Sequence, residues 1–205
     1  MYMPPHFKAN DPEMAADIMR GQPFASLISV DDEGLPFVSH LPTHLDVAGD
    51  QFTLWAHCAK PNPHWRYLQA RPEALVTFMG PHAYLSPKIY PDLARVPSWN
   101  YVAVHCKVRA RLVEEPAAKD ALLKKLIGDF EPPFAQQWRD QGEEFQNKML
   151  AGIVGFELTV LDWECKLKIN QHRKESHVAL RAVYAAGSED ERALGVWMDR
   201  LGLKG

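Results

Sequence analysis

The residues best equipped for chemistry crowd into two stretches. "GPHAYLSPKIYPDLARVPSWNYVAVH" over 80–105 sets His82, Ser86, Trp99 and Asn100 among Pro81, Pro87, Pro91 and Pro97, with Tyr84, Tyr90 and Tyr101 close by. "KLKINQHR" over 166–173 gathers Lys168, Asn170, Gln171 and Arg173. Prolines narrow the backbone ensemble, so side chains beside them lose less entropy when a ligand orders them. Rings offer flat surfaces, and cations with N–H donors suit a phosphate. Together they describe a pocket for a flat, phosphorylated ligand. Lys60 and Asn62 add to it, because they precede a short helix expected from Pro63 whose unpaired N–H groups favour an anion. The plainer alternatives are a solvated basic segment at 166–173 and an aromatic dimer contact at 80–105.

Other chemistries fit less well. His40, His44, His57, His64, His82 and His105 are scattered over strands and loops without H-E-x-x-H or Cys/His spacing, so they read as hydrogen-bonded histidines rather than metal ligands. Ser39, Ser86 and Ser98 lack the G-x-S-x-G elbow, and phosphate-loop and dinucleotide fingerprints do not occur. Cys58, Cys106 and Cys165 are odd in number and far apart, which predicts buried, reduced thiols.

These residues must be held by a mainly β framework. Asp11-Pro12-Glu13 starts a short helix over 12–20 that Gly21 closes. Strands follow over 24–30, 35–41, 43–47 and 51–57, separated by "DDEG" and "AGD" turns. Asn62 caps a helix from Pro63 that ends before Pro72, and strands return over 73–79 and 82–86. Residues 102–113 alternate apolar and polar: Val102, Val104, Cys106, Val108, Ala110 and Leu112 on one face, Lys107, Arg109 and Arg111 on the other. Helices are expected over 117–127 and 143–151, a last strand over 153–161, and two final helices over 174–186 and 189–201. Short antiparallel strands with peripheral helices predict a small closed or partly closed barrel, since closure removes exposed edges.

The chain has 205 residues, 46% of them hydrophobic and 24% charged, which predicts one soluble globular domain over 1–205 with C-terminal helices from about 174. A net charge of -3 gives no strong global attraction for nucleic acid or an anionic membrane. With no apolar run suited to a signal or a membrane span, the expected address is the cytoplasm, without a membrane partner.

"MYMPPHF" at 1–7, "HCAKPNPHW" at 57–65, "GPHAYLSP" at 80–87, "VPSWNYVAVH" at 96–105, "GIVGFEL" at 152–158 and "KLKINQHR" at 166–173 stand in the order and spacing of one family. The chain resembles the PaiB-type FMN-binding negative transcriptional regulators. The resemblance implies a split β-barrel of the FMN-binding type, a homodimer with FMN near the subunit interface, and a role in repression, with a DNA or protein partner not specified by the residues. The other class it leaves open is a small flavin-dependent oxidoreductase. Carried over, the family's signature falls on His57, Asn62, Pro63 and Trp65, on Pro81, His82, Tyr84 and Ser86, on Trp99, Asn100, Tyr101 and His105, and on Lys168, Asn170, Gln171 and Arg173. The cofactor-binding set expected here is therefore His57, Lys60, Asn62, His82, Tyr84, Ser86, Trp99, Asn100, Lys168, Gln171 and Arg173, with no catalytic or metal residue named. Departures from the family pattern fall at Pro61, at Pro87-Lys88-Ile89-Tyr90, and at Ile169, Asn170 and His172, the last standing where asparagine is usual.

Overall fold

The computed structural model describes residues 1–92 and 94–204. Eight strands are present: β1 (Lys8–Ala9), β2 (Phe24–Val30), β3 (Pro36–Pro42), β4 (His44–Ala48), β5 (Gln51–Ala59), β6 (Glu73–Leu85), β7 (Ser98–Val113) and β8 (Ile153–Lys168). Seven α-helices accompany them: α1 (Pro12–Gly21), α2 (His64–Ala70), α3 (Pro116–Phe130), α4 (Phe134–Asp140), α5 (Glu143–Ala151), α6 (His177–Ala185) and α7 (Glu189–Arg200). No helix among the described residues is long and apolar enough to cross a membrane.

The chain divides into two compact units. The first comprises residues 1–18, residues 79–104 and the chain from Glu164 onward; the second comprises residues 19–78 and 105–163. The strand order is β3-β2-β6-β7-β8-β5-β4, and β6, β7 and β8 each contribute residues to both units. The β2–β3 hairpin pairs Phe24 with Pro42 and Val30 with Pro36, and β5 lies antiparallel to β8 from Thr53↔Thr159 to Ala59↔Ile153. The core of the second unit is built by period-two burial: Leu27, Phe52, Leu54, Ala56, Val76, Phe78, Cys106, Val108, Phe156 and Leu158 are all buried. In the first unit β1 pairs with β8 through Lys8↔Lys166 and Ala9↔Cys165. Val102, Val104, Leu167 and Ile169 are buried in that unit, as are Leu180, Tyr184, Leu194 and Met198 from α6 and α7.

Local chemistry explains where elements begin and turn. Asp11 accepts the Glu13 N–H at 3.0 Å ahead of the Pro12 start of α1. Asp31 accepts the N–H groups of Glu33 and Leu35 at 2.9 and 2.8 Å, and Gly34 takes φ 83, which closes the β2–β3 turn. Ser188 and Glu191 form a reciprocal capping box at the start of α7. Cys58, Cys106 and Cys165 are buried, as expected.

Three boundaries differ from the sequence reading. The strands expected over 73–79 and 82–86 are one strand, β6. Gly80 leaves room for Val102, whose side chain would collide with a Cβ there, so the pairing runs on through Gly80-Pro81. The strands expected over 102–113 and 153–161 extend to Ser98–Val113 and Ile153–Lys168, which places Lys168 inside a strand rather than after it. Helix α4 was not expected. Pro132-Pro133 reads as a breaker, yet Pro133 is the N-cap residue, and buried Trp138 docks the helix by donating to Asp120 at 2.8 Å.

Candidate functional site

The first unit holds most of the expected residues. On β6 the alternation exposes His82 and Tyr84 and buries Ala83 and Leu85; on β7 it exposes Trp99 and buries Asn100. Trp99 gathers its neighbours, with ring centroids 6.2 Å from His82 and 6.1 Å from Tyr84, the latter edge-on. Tyr84 and Trp99 are 52% and 53% exposed, so this ring cluster is a surface, not core.

Asn100 belongs to a different place. It lines a cavity of about 280 Å³ together with Tyr90, Arg95, Ser98, Lys168, Asn170 and Arg173, and with His6, Phe7 and His172. The Asn100 amide donates to the Tyr184 hydroxyl at 2.8 Å, while its buried Oδ1 has no partner among the described residues, and neither has Arg95 Nε. Tyr184 is pushed up to about 12 by burial, against the Asn100 hydrogen bond, and remains a hydroxyl. Lys168 donates to Ser98 at 2.7 Å. Burial holds its ammonium below the usual lysine range, and neighbouring Lys166 adds to that while Tyr101 opposes it.

Two expected residues are engaged elsewhere. Ser86 accepts the Lys88 N–H at 3.3 Å and caps the 3-10 turn Pro87–Ile89. Gln171 accepts the Ile169 N–H at 2.9 Å and donates to the Leu167 carbonyl, closing the end of β8. Asn170 is likewise a brace: it accepts from Tyr90 at 3.0 Å and donates to Ser176 at 2.7 Å. The sequence reading did not name His6, Phe7, Ser98 or His172 as site residues. No local signal marks them, because β1, β7 and the turn after β8 meet only in the folded unit.

His57, Lys60 and Asn62 lie in the second unit. Asn62 accepts the His64 N–H at 3.0 Å and donates to Ser39 at 3.0 Å, so its side chain holds α2 against β3. His64 is wholly buried, with Nδ1 2.9 Å from Ser39 Oγ and Nε2 unpartnered. Burial drives it down to about 4 and lowers His57 in the same sense. Lys60 is exposed; its N–H donates to the Gly152 carbonyl at 2.8 Å. Helix α2 has only 7 residues and its first N–H is already taken by Asn62.

A larger cavity in the second unit, about 480 Å³, is lined by Arg20, Thr43, His44, Asp46, Asp129 and Phe130, among others. Its polar groups satisfy one another. His44 bridges Asp129 at 2.7 Å and Asp46 at 2.9 Å, and Asp46 also takes Trp55 at 2.8 Å and Lys125 at 2.6 Å. Burial works against the Asp46 carboxylate, but these donors outweigh it and hold it below the usual range. We read this knot as structural.

Known proteins align with these features. The family model described as "Putative FMN-binding domain" matches residues 1–162, ending before Lys168 and Arg173. Protease synthase and sporulation protein PAI 2 of Bacillus subtilis strain 168 is 32% identical over 179 residues, covering 86% of this chain and 84% of that protein. Among solved structures, an FAD and heme binding protein from Mycobacterium smegmatis has TM-score 0.62 at 20% identity, covering 78% of this chain and 73% of its own. The flavocytochrome Anf3 from Azotobacter vinelandii has TM-score 0.61 at 18% identity, covering 78% and 69%. The architecture is the expected mainly β split-barrel type with peripheral helices. With the matched region carrying the histidine, proline-loop and aromatic motifs in order, the chain belongs to the family described as "Putative FMN-binding domain", alongside PAI 2 of Bacillus subtilis.

Proposed function

We propose that this chain is a PaiB-type protein that binds FMN, acts in the cytoplasm as a homodimer, and serves as a negative transcriptional regulator. One observation supports the ligand half most directly: Lys168, Arg95 and Arg173 surround a single cavity in which, among the described residues, Arg95 Nε has no partner. That donor set suits a phosphate, and Arg173 offers a planar fork that a lysine cannot reproduce. The cavity volume lies just under the roughly 300–1,000 Å³ of whole small-molecule sites, so it suits part of FMN rather than all of it. Exposed Trp99 and Tyr84 supply ring surfaces in the same unit. Bound FMN brings its own electron and hydride chemistry, and the protein's part is to position it. Membership of the family described as "Putative FMN-binding domain" supports the ligand half as well; the regulatory half rests on the PaiB-type resemblance of the ordered motifs and on the likeness to PAI 2.

Flavin fluorescence titration tests the ligand. FMN should bind, Arg173→Lys should weaken it by about 1 to 2 kcal/mol and Arg173→Ala by more, with riboflavin barely affected. Equal weakening of both flavins would move Arg173 from the phosphate to the ring or the fold. Binding to the DNA upstream of the chain's own gene, weakening steeply with salt, tests the regulator. Rapid bleaching of the bound flavin by a reduced nicotinamide would favour the oxidoreductase class instead.

A further inference from the structure

The cavity beside Lys168 carries more positive charge than its surroundings neutralise. Arg95 is braced by Asp92 at 2.9 Å and Glu175 at 3.8 Å. Among the described residues neither Lys168 nor Arg173 has a carboxylate partner; the Lys168 ammonium rests on the neutral Ser98 hydroxyl. His172 sits at the exposed rim with its ring centroid 4.7 Å from that of His6 and 5.5 Å from that of Phe7. Burial, then His6, then Arg173, and with them Lys168, lower the affinity of the His172 ring for a proton, and only Glu175 pulls the other way. An anion placed here would relieve every one of these repulsions together.

We infer that this cavity is a phosphate site loaded together with a proton: a phosphate group seats against Lys168 and Arg173, and His172 becomes the imidazolium that completes its ring of donors. The groups facing His172 are His6 and Phe7 before β1, Tyr90 and Arg95 from the proline loop, Lys168 at the end of β8, and Arg173 and Glu175 from the turn that follows. None but Glu175 supplies negative charge to a protonated ring before the ligand arrives. Asn100 adapts to the same ligand. If its amide turns over, the Tyr184 hydroxyl donates to Oδ1 and the amide N–H₂ faces the cavity as a donor.

The inference rests on the flavin reading only for the identity of the molecule that carries the phosphate. Above pH 6.5 a phosphate monoester, whose second ionisation lies near 6, is already largely dianionic, so further change with pH reports the protein.

Calorimetry from pH 6.5 to 8, in buffers of differing ionisation enthalpy, tests it with FMN, riboflavin and the monoester phenyl phosphate as probes. FMN affinity should fall about threefold to tenfold per pH unit, tenfold being one whole proton taken up, with heats that depend on the buffer. Riboflavin should show no such slope. His172→Asn should still bind FMN but lose the slope, while His6→Asn should keep it. An unchanged slope in His172→Asn, or FMN and phenyl phosphate binding without proton uptake in the parent protein, overturns the inference and leaves the flavin reading standing. Phenyl phosphate binding with proton uptake but no binding of FMN would do the reverse. Binding of neither removes both.

Discussion

Asn170 adopts φ 62, a left-handed backbone that costs most side chains energy but that asparagine tolerates. Its carbonyl accepts from His177 at 3.1 Å while its amide ties Tyr90 to Ser176, so one residue turns the chain out of β8 and anchors α6. The sequence placed it in the late family motif without counting it among the cofactor-binding residues; the structure gives it a structural task. His64 shows a different residue-scale consequence. Its folded value of about 4 lies below the ordinary 6.5, so the unfolded chain takes the proton first. Stability is therefore complete above pH 6.5 and is lost as pH falls toward 4, by on the order of 3 kcal/mol from this residue. Half-buried His57 acts in the same direction. Denaturant unfolding at pH 7 and pH 4 should show that loss, and His64→Gln should flatten most of it. A parent protein equally stable at both values would show that His64 takes up its proton without unfolding.

At the scale of elements, the alternation along β7 was readable because Val102, Val104, Cys106 and Val108 are wholly buried while Lys107 and Arg109 are exposed. The simple pattern fails at both ends. Ala103 is buried too, and Ala110 and Leu112 are only half-buried, with Val113 taking the core position. Val104→Asp should cost about 3 to 5 kcal/mol by burying an unpaired charge. Lys107→Glu should cost well under 1 kcal/mol, since it removes only an exposed pair with Asp162 at 3.3 Å. Thermal melts of the two variants check the register, and equal melting temperatures would refute it. The length of β6 was not readable. Gly80-Pro81 carries a strong break signal, and only the close approach of Val102 converts that glycine into a packing requirement. Gly80→Val should therefore destabilise strongly even though valine favours strands.

For the whole molecule, the exposed rings matter most. Trp99, Tyr84 and Val96, the last 80% exposed, form apolar surface on a chain of net charge -3. Isologous pairing is the commonest way to cover such a patch. Sedimentation should give a dimer at micromolar concentration, and Trp99→Glu with Tyr84→Glu should weaken it by more than about tenfold through desolvated like charges. A monomeric parent protein, or a dimer indifferent to both changes, would place the interface elsewhere. A phosphorylated ligand gains little from the overall field of such a chain. Its affinity must come from local cations such as Lys168 and Arg173.

The sequence by itself determined what depends on neighbours along the chain. The Asp31–Gly34 turn, the start of α1 at Pro12, the α7 capping box and the period-two core of β7 each rest on residues a few positions apart, and ordered motifs are enough to reveal a family. Only the tertiary structure decided which polar side chains remain available. Asn62, Ser86 and Gln171 are indistinguishable from Lys168 and Arg173 as ligand groups in a string of letters, yet each is engaged by a backbone N–H or carbonyl supplied by its own fold. Residues remote in sequence, His6, Asn100 and His172, come to one cavity because β1, the start of β7 and the end of β8 share the first unit. Hydrogen-bond satisfaction and burial are properties of the folded surroundings, and a donor's freedom to meet a ligand is what remains after those are met.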